Sequence, residues 1–165
     1  MVKIGVLSDS HLYQITDEYL RSCENAFAGC DAIIHAGDLT DISVLSPFQG
    51  KAVYAVSGNM CDYEVQQRLS KKNRFEIDGI SFGVSHGAGS RHNIEDRVFA
   101  MFPDVNCIVY GHTHIPVCHM YGPVLMMNPG SFQATSRYGG PGSYGILTVE
   151  NGTIKGKIHF LGESV

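Results

Sequence analysis

Tryptophan is missing from this 165-residue chain, and charge is sparse: Asp, Glu, Lys and Arg together make up 17% of it. With 44% apolar residues, that composition excludes a disordered tail and leaves enough side chains for a core. Basic residues are also few. Lys and Arg number 12 against 16 Asp and Glu, a net charge of −4, and no basic cluster exceeds Lys71-Lys72 with Arg74 nearby. A protein that grips a polyanion mainly through charge looks different, so long DNA or RNA is not an expected partner. The five cysteines (Cys23, Cys30, Cys61, Cys107, Cys118) are odd in number, widely spaced and without a C-x-x-C pair. This argues against a disulfide framework or a zinc ribbon and fits a reducing compartment. Long apolar runs are absent as well. Ile4 to Leu7 is broken by Gly5 and followed at once by Ser8-Asp9, too short for a signal peptide or a membrane span. The expectation is a soluble, cytoplasmic protein with no repeat, no linker and one domain over residues 1–165.

What is present is a rhythm. Val2 to Leu7 is a buried-strand run. Thr16 caps a predicted helix that has Asp17 and Glu18 in its first turn and an apolar stripe of Tyr19, Leu20, Cys23, Ala26 and Phe27. Ala32 to Ile34 and Lys51 to Val56 read as strands, Asp62 to Leu69 and Asn93 to Phe102 as short helices. The second half reads as strands: Arg74–Ile77 and Ile80–Val84 around an Asp78-Gly79 turn, then Ile108–Tyr110, Ile115–Met120, Val124–Met127, Tyr144–Val149 and Ile154–Phe160, with Asn151-Gly152 as a second hairpin turn. The pattern predicts an α/β protein rich in β structure, two sheets face to face with helices outside.

The polar residues gather where the apolar runs end. Val6-Leu7 leads into Ser8-Asp9-Ser10-His11, Ile33-Ile34 into His35-Ala36-Gly37-Asp38, and Tyr54-Ala55-Val56 into Ser57-Gly58-Asn59. Phe82-Gly83-Val84 leads into Ser85-His86-Gly87, and Ile108-Val109-Tyr110 into Gly111-His112-Thr113-His114. Ligands of α/β sheets bind beyond the carboxyl ends of the strands, so these groups are expected to converge. Asp9/His11 and His112/His114 are i, i+2 pairs, which extended backbone points to one side. Seven N and O donors without sulfur suit a dication such as Mn²⁺, Fe²⁺, Zn²⁺ or Ni²⁺.

Asp9-Ser10-His11, Gly37-Asp38, Gly58-Asn59, His86-Gly87 and Gly111-His112-Thr113-His114 resemble the D-x-H, G-D, G-N, H-G and G-H-x-H series of the calcineurin-like metallophosphoesterases. The small size and Asn128-Pro129-Gly130-Ser131 are similar to the compact single-domain phosphodiesterase branch. The resemblance implies a four-layer α/β/β/α sandwich and a dinuclear centre. Carried over, Asp9, His11, Asp38 and His114 hold one metal, and Asp38, Asn59, His86 and His112 the other, with Asp38 bridging. Mn²⁺ stands first among the metals, with Fe, Zn, Ni or Mg as alternatives. Two dications against Asp9 and Asp38 leave two positive charges, and a bridging hydroxide leaves one, which suits attack on a singly charged small phosphodiester. Asp38, Asn59 and His86 are therefore expected to act catalytically. The family often carries a His after the G-N Asn that protonates the leaving group, and the compact branch often has Cys-Asp there. This chain reads Gly58-Asn59-Met60-Cys61-Asp62, so either Cys61 or Met60 occupies that place.

Other residues carry two readings each. His35 is either support for the site or a core hydrogen-bonding group. Arg91-His92 either reaches the phosphate, His92 donating a proton, or belongs to an exposed loop. Ser131 and Arg137 border the site by resemblance, and the glycine-rich stretch from Arg137 to Gly142 is a lid or an interface. His119, His159 and Met126-Met127 read as structural. The competing functions are a protein-interaction scaffold on the same fold, as in a retromer subunit with an incomplete metal set, a phosphomonoesterase, and a nuclease disfavoured by charge. A homodimer is a family-based expectation.

Overall fold

Short apolar runs and helical stripes become ten strands, three α-helices and one 3-10 helix in the computed structural model, which describes residues 1–133 and 141–162. β1 (Val2–Leu7), β2 (Ala32–His35) and β3 (Ala52–Ala55) run parallel. β9 (Ser143–Glu150) and β10 (Thr153–Phe160) extend that sheet antiparallel beyond β1, in the order β10-β9-β1-β2-β3. The second sheet has the order β4-β5-β6-β8-β7 and is built from β4 (Lys72–Ile77), β5 (Ile80–Ser85), β6 (Cys107–Tyr110), β7 (Val117–Tyr121) and β8 (Val124–Asn128). Its centre, β5-β6-β8, is parallel and both its edges are antiparallel.

Each turn residue takes the conformation its chemistry allows. Asp78 and Gly79 both have positive φ (49° and 78°), as do Asn151 and Gly152 (50° and 70°), the arrangement that matches hairpin twist. A third hairpin, Tyr121 opposite Val124 around Gly122-Pro123, was not among the predicted turns. Neither was the 3-10 helix Ile42–Phe48, started by the Asp41 side chain accepting the Ser43 N–H at 2.8 Å.

The sheets pack through Ile4, Val6 and Ile34 on one side and Phe82, Val84, Val109 and Met127 on the other. α1 (Asp17–Phe27) covers the outside of the first sheet, with Thr16 accepting the Tyr19 N–H at 3.1 Å. Its buried stripe is Tyr19, Cys23 and Phe27; Leu20, expected inside, lies at the edge and is 37% exposed. α2 (Tyr63–Arg68) adds Val65 to the same layer, and α3 (Ile94–Met101) covers the second sheet through Ile94 and Val98. One glycine per sheet lets an aromatic ring lie close against the strand. A Cβ at Gly5 would sit 2.4 Å from the Phe27 ring, and one at Gly83 2.4 Å from the Phe102 ring. The layers therefore run helix, sheet, sheet, helix, the α/β/β/α order. Among the described residues no helix is long and apolar enough to cross a membrane.

Candidate metal centre

All five polar clusters sit at the carboxyl ends of β1, β2, β3, β5 and β6, so the parallel strands aim them at one place. The local backbone is not the extended one expected. Asp9, His11, Asp38, His112 and His114 have φ of 53°, 48°, 53°, 70° and 61°, left-handed values that side chains other than glycine adopt at a cost of about 1–3 kcal/mol each. The i, i+2 pairs thus reach the site by tight turning, not by pleat alternation. Hydrogen bonds hold the turns together: Asp9 N–H to the Gly37 carbonyl (2.9 Å), His11 N–H to the Asp38 carbonyl (3.0 Å) and His112 N–H to Asp9 Oδ2 (3.1 Å).

Asp9 is fully buried, and its Oδ1 has no hydrogen-bond partner. Around that oxygen stand three imidazole nitrogens, Nε2 of His114 at 3.0 Å, of His11 at 3.7 Å and of His86 at 3.9 Å. A buried carboxylate oxygen left without a hydrogen bond is expensive in a finished fold, and one ringed by imidazole nitrogens is the surrounding a cation completes. Among the described residues two overlapping groups have donor atoms close enough to share an ion: Asp9, His11 and His114; and Asp9, Asp38 and His86. The residue common to both is Asp9, whereas the resemblance gives the shared role to Asp38.

The rest of the set is arranged around His86. Its Nδ1–H donates to the Ala36 carbonyl at 2.8 Å, leaving Nε2 to face Asp38 Oδ2 and Asn59 Oδ1, each at 3.1 Å. Burial alone would lower this imidazole, but the Asp38 hydrogen bond and the Asp9 and Asp38 charges outweigh it, so its pKa is raised. Asp38 moves the other way: burial would raise it, while His86 and the Met60 N–H on Oδ1 (2.7 Å) hold it below the ordinary carboxylate value. His11 is lowered, chiefly by burial. The His112 ring lies 5.2 Å from that of His86, with Nε2 donating to the Gly89 carbonyl at 2.8 Å.

Glycines make this convergence fit. A Cβ on Gly58 would fall 2.0 Å from Asp38 Oδ1, on Gly37 2.7 Å from the His86 ring, and on Gly111 2.1 Å from Ser8 Oγ. The calcineurin-like phosphoesterase superfamily domain matches residues 2–152. The chain belongs to that superfamily. A probable metallophosphoesterase of Methanocaldococcus jannaschii is 38% identical over 134 residues, covering 78% of this chain and 67% of its own. The probable metallophosphoesterase YsnB of Bacillus subtilis is 30% identical over 155 residues, 91% of this chain and 86% of its own. An archaeal phosphodiesterase structure superposes with a TM-score of 0.72 at 24% identity, covering 96% of this chain and all of that one. Zinc-bound Vps29 of Entamoeba histolytica gives 0.71 at 19%, covering 96% and 99%. Both show the fold.

Two further predicted residues, Cys61 and His92, are not members of the donor groups around Asp9. Cys61 is buried in the α1-side core beside Val65, its Sγ accepting the Gly58 N–H at 3.1 Å. It therefore shapes the Gly58-Asn59 turn, and Met60, 53% exposed, stands next to Asn59 instead. His92 is exposed; the loop it sits in is gathered by Arg97, whose guanidinium donates to the carbonyls of Ser90 (2.5 Å) and Gly87 (2.9 Å). Ser131, expected to border substrate, is buried, its hydroxyl 2.8 Å from the Asp9 carbonyl. His119 pairs with Glu95 at 2.9 Å, His159 stacks on Tyr144, and Met126 and Met127 are core, as read. Arg137, and most of the stretch from Arg137 to Gly142, lies outside the described residues.

Two supporting residues, Ser8 and Arg97, were not among the expected site residues, and a third, Asn128, opens the Asn128-Pro129-Gly130-Ser131 segment of the resemblance. Ser8 donates to Asp9 Oδ2 at 2.5 Å, and Arg97 clamps the loop that carries Gly89. Asn128, at the end of β8, donates to the Gly111 carbonyl (2.8 Å) and Thr113 Oγ1 (2.9 Å) while accepting the Gly130 N–H. The Asn-Pro-Gly sequence marks this turn, at a sixth strand end.

His35 resolves into a supporting role. Gly37 N–H donates to its Nδ1 (3.3 Å), so the Nε2–H donates to Ser10 Oγ (2.9 Å) between the Asp9 and His11 turns. Burial pulls its pKa down to about 4. Unfolded, the imidazole takes a proton near pH 6.5. Its contribution to stability is therefore full above pH 6.5, shrinks as the pH falls and is gone below about 4, a change of about 3 kcal/mol. Urea midpoints of chelator-treated protein between pH 7 and 4 are expected to fall less steeply in His35→Gln than in the parent; equal slopes would contradict this.

Proposed function

We propose that residues 1–165 form one cytoplasmic phosphoesterase domain that uses two divalent cations, Mn²⁺ foremost, to hydrolyse small phosphodiesters. The observation that supports the reading is the orphaned Asp9 Oδ1 inside a ring of three histidine nitrogens. Asp9, His11, Asp38 and His114 would hold one cation, and Asp38, Asn59, His86 and His112 the other. When bound, such cations acidify coordinated water and draw charge off phosphate oxygens. The protein residues do the placing. Asn59 and His86 fix one flank through their mutual contact, and the Ala36 carbonyl sets the His86 tautomer. In the net reaction, water oxygen bonds to phosphorus, the P–O bond to the leaving alcohol breaks, and a proton follows the departing oxygen.

The test is hydrolysis of bis(4-nitrophenyl) phosphate by protein stripped with chelator and refilled with Mn²⁺. Activity lost on stripping and regained on refilling is expected. Verified metal uptake with no turnover of a diester or a monoester would instead favour a protein-interaction scaffold.

Met60 directly follows Asn59 and Cys61 is buried, so neither of the two positions after Asn59 offers an exposed acid to protonate a poor leaving group. The expected kcat for a nitrophenyl diester exceeds that for a dialkyl ester by a factor on the order of 10² or more, the usual size of general-acid assistance. Comparable values would show that a proton donor is present.

A further inference from the structure

A cleft of about 530 Å³ opens directly beside Asn59 and His86. Its inner wall carries Ser57 and Ser85, the last polar residues before the β3 and β5 turns, and its outer wall carries Lys71 and Lys72 at the start of β4. Three facts about this lining point the same way. First, among the described residues it contains two ammonium groups and no carboxylate, although the chain as a whole is net negative. Second, both lysines are exposed, and among the described residues neither ammonium makes a hydrogen bond or an ion pair. They are held at the rim with their charge unspent. Third, among the described residues no Phe or Tyr ring lines the cleft, its one imidazole, His86, is buried against Asp38, and Met101 is the one large apolar contributor, so the lining offers little stacking surface for a nucleobase.

The cleft is large enough for a substituent several bonds long, and it lies on the Asn59–His86 flank of the candidate centre. A phosphodiester seated there can send one arm into it. Hydroxyls inside and two cations at the rim are complementary to a compact anion, not to an apolar or aromatic group.

We propose that the substrate is a phosphodiester one arm of which carries a second anionic group, a carboxylate or a further phosphate, and that Lys71 and Lys72 bind it. This rests on the phosphodiesterase reading of the adjacent residues. It makes the two lysines specificity determinants, acting on the substrate arm and not on the reacting phosphorus.

The test uses two 4-nitrophenyl phosphodiesters that differ only in the second alcohol, 3-hydroxypropionate in one and its carboxamide in the other. With Mn²⁺-loaded full-length protein, the carboxylate ester is expected to have a KM about tenfold lower than the amide at similar kcat, an advantage that fades with salt. The double variant Lys71→Gln/Lys72→Gln is expected to reduce the carboxylate ester to the level of the amide. Lys155→Gln/Lys157→Gln, the same charge change on exposed positions of β10, is expected to keep the preference. Equal KM values in the parent protein, or a preference that survives loss of Lys71 and Lys72, would overturn the proposal. If neither ester is turned over, calorimetric titration with the same pair decides it. A tenfold difference in Kd that disappears in the double variant supports the anion site while the hydrolytic reading fails; equal Kd values overturn the anion site.

Discussion

Asp9→Asn is expected to leave the protein folded, empty of metal and at least about 10³-fold less active in kcat/KM. Both compact donor groups contain Asp9, so removing its charge weakens both at once. The asparagine oxygen can keep the contacts of Oδ2 with Ser8 and the His112 N–H, while its NH₂ takes the place of Oδ1 and points a donor where a cation needs an acceptor. The loss corresponds to about 4 kcal/mol of transition-state stabilisation, within what metal assistance supplies. Stability moves the other way. The metal-free parent buries a carboxylate oxygen without a hydrogen bond, and an amide N–H facing His114 Nε2 relieves it. In chelator, the urea midpoint of the variant is expected to match or exceed that of the parent. Metal content by mass spectrometry, turnover and denaturation together check this. Parental metal content with parental turnover would remove Asp9 from the centre. Asp38→Asn is the companion, because the family resemblance places the shared ligand there.

The second large effect comes from adding one methyl group. Gly58→Ala puts a Cβ 2.0 Å from Asp38 Oδ1 and 2.5 Å from the Asp38 backbone nitrogen. The carboxylate can rotate, but the nitrogen belongs to a left-handed turn already tied to its neighbours. Asp38 must shift, and displacement of a positioned group by about 1 Å lowers rate by about 10². Overpacking is expected to remove only about 1–3 kcal/mol of stability, so the protein folds while activity and metal affinity drop together. Gly29→Ala, with nothing within 4 Å of its Cβ, is the matched control and is expected to be silent. Equal activity of the two variants would show that the Gly58 contact relaxes harmlessly.

The sequence made the convergence legible because parallel strands leave their carboxyl ends on one side, and each of the five runs ended in Asp, Asn or His. The hairpins at Asp78-Gly79 and Asn151-Gly152 were legible because their turn type demands those residues. The backbone at Asp9, His11, Asp38, His112 and His114 was not, since Asp and His tolerate left-handed φ better than most residues but do not demand it; lacing between distant turns imposes it. For the same reason i, i+2 spacing suggested a pleat where the chain makes a tight turn. Cys61 was read as a candidate beside Asn59 because spacing cannot tell which way a turn presents its third residue; the α1-side core decides it. Ser8 and Arg97 escaped notice because they act through a carboxylate and through backbone carbonyls, and neither partner leaves a mark in a linear pattern.

The strand order bears on how this molecule is made. Within this chain β1 is synthesised well before its antiparallel neighbour β9, Val2 lying opposite Val149. The entire second sheet is interposed between β3 and β9. A growing chain has therefore released Asp9, Asp38, His86 and His114 before the sheet bearing the first two has its missing edge. Neither sheet alone carries all the polar residues that converge at the strand ends. Closure of a loop almost as long as the chain makes for slow folding, and the nascent protein passes through a stage with these side chains synthesised but not yet brought together.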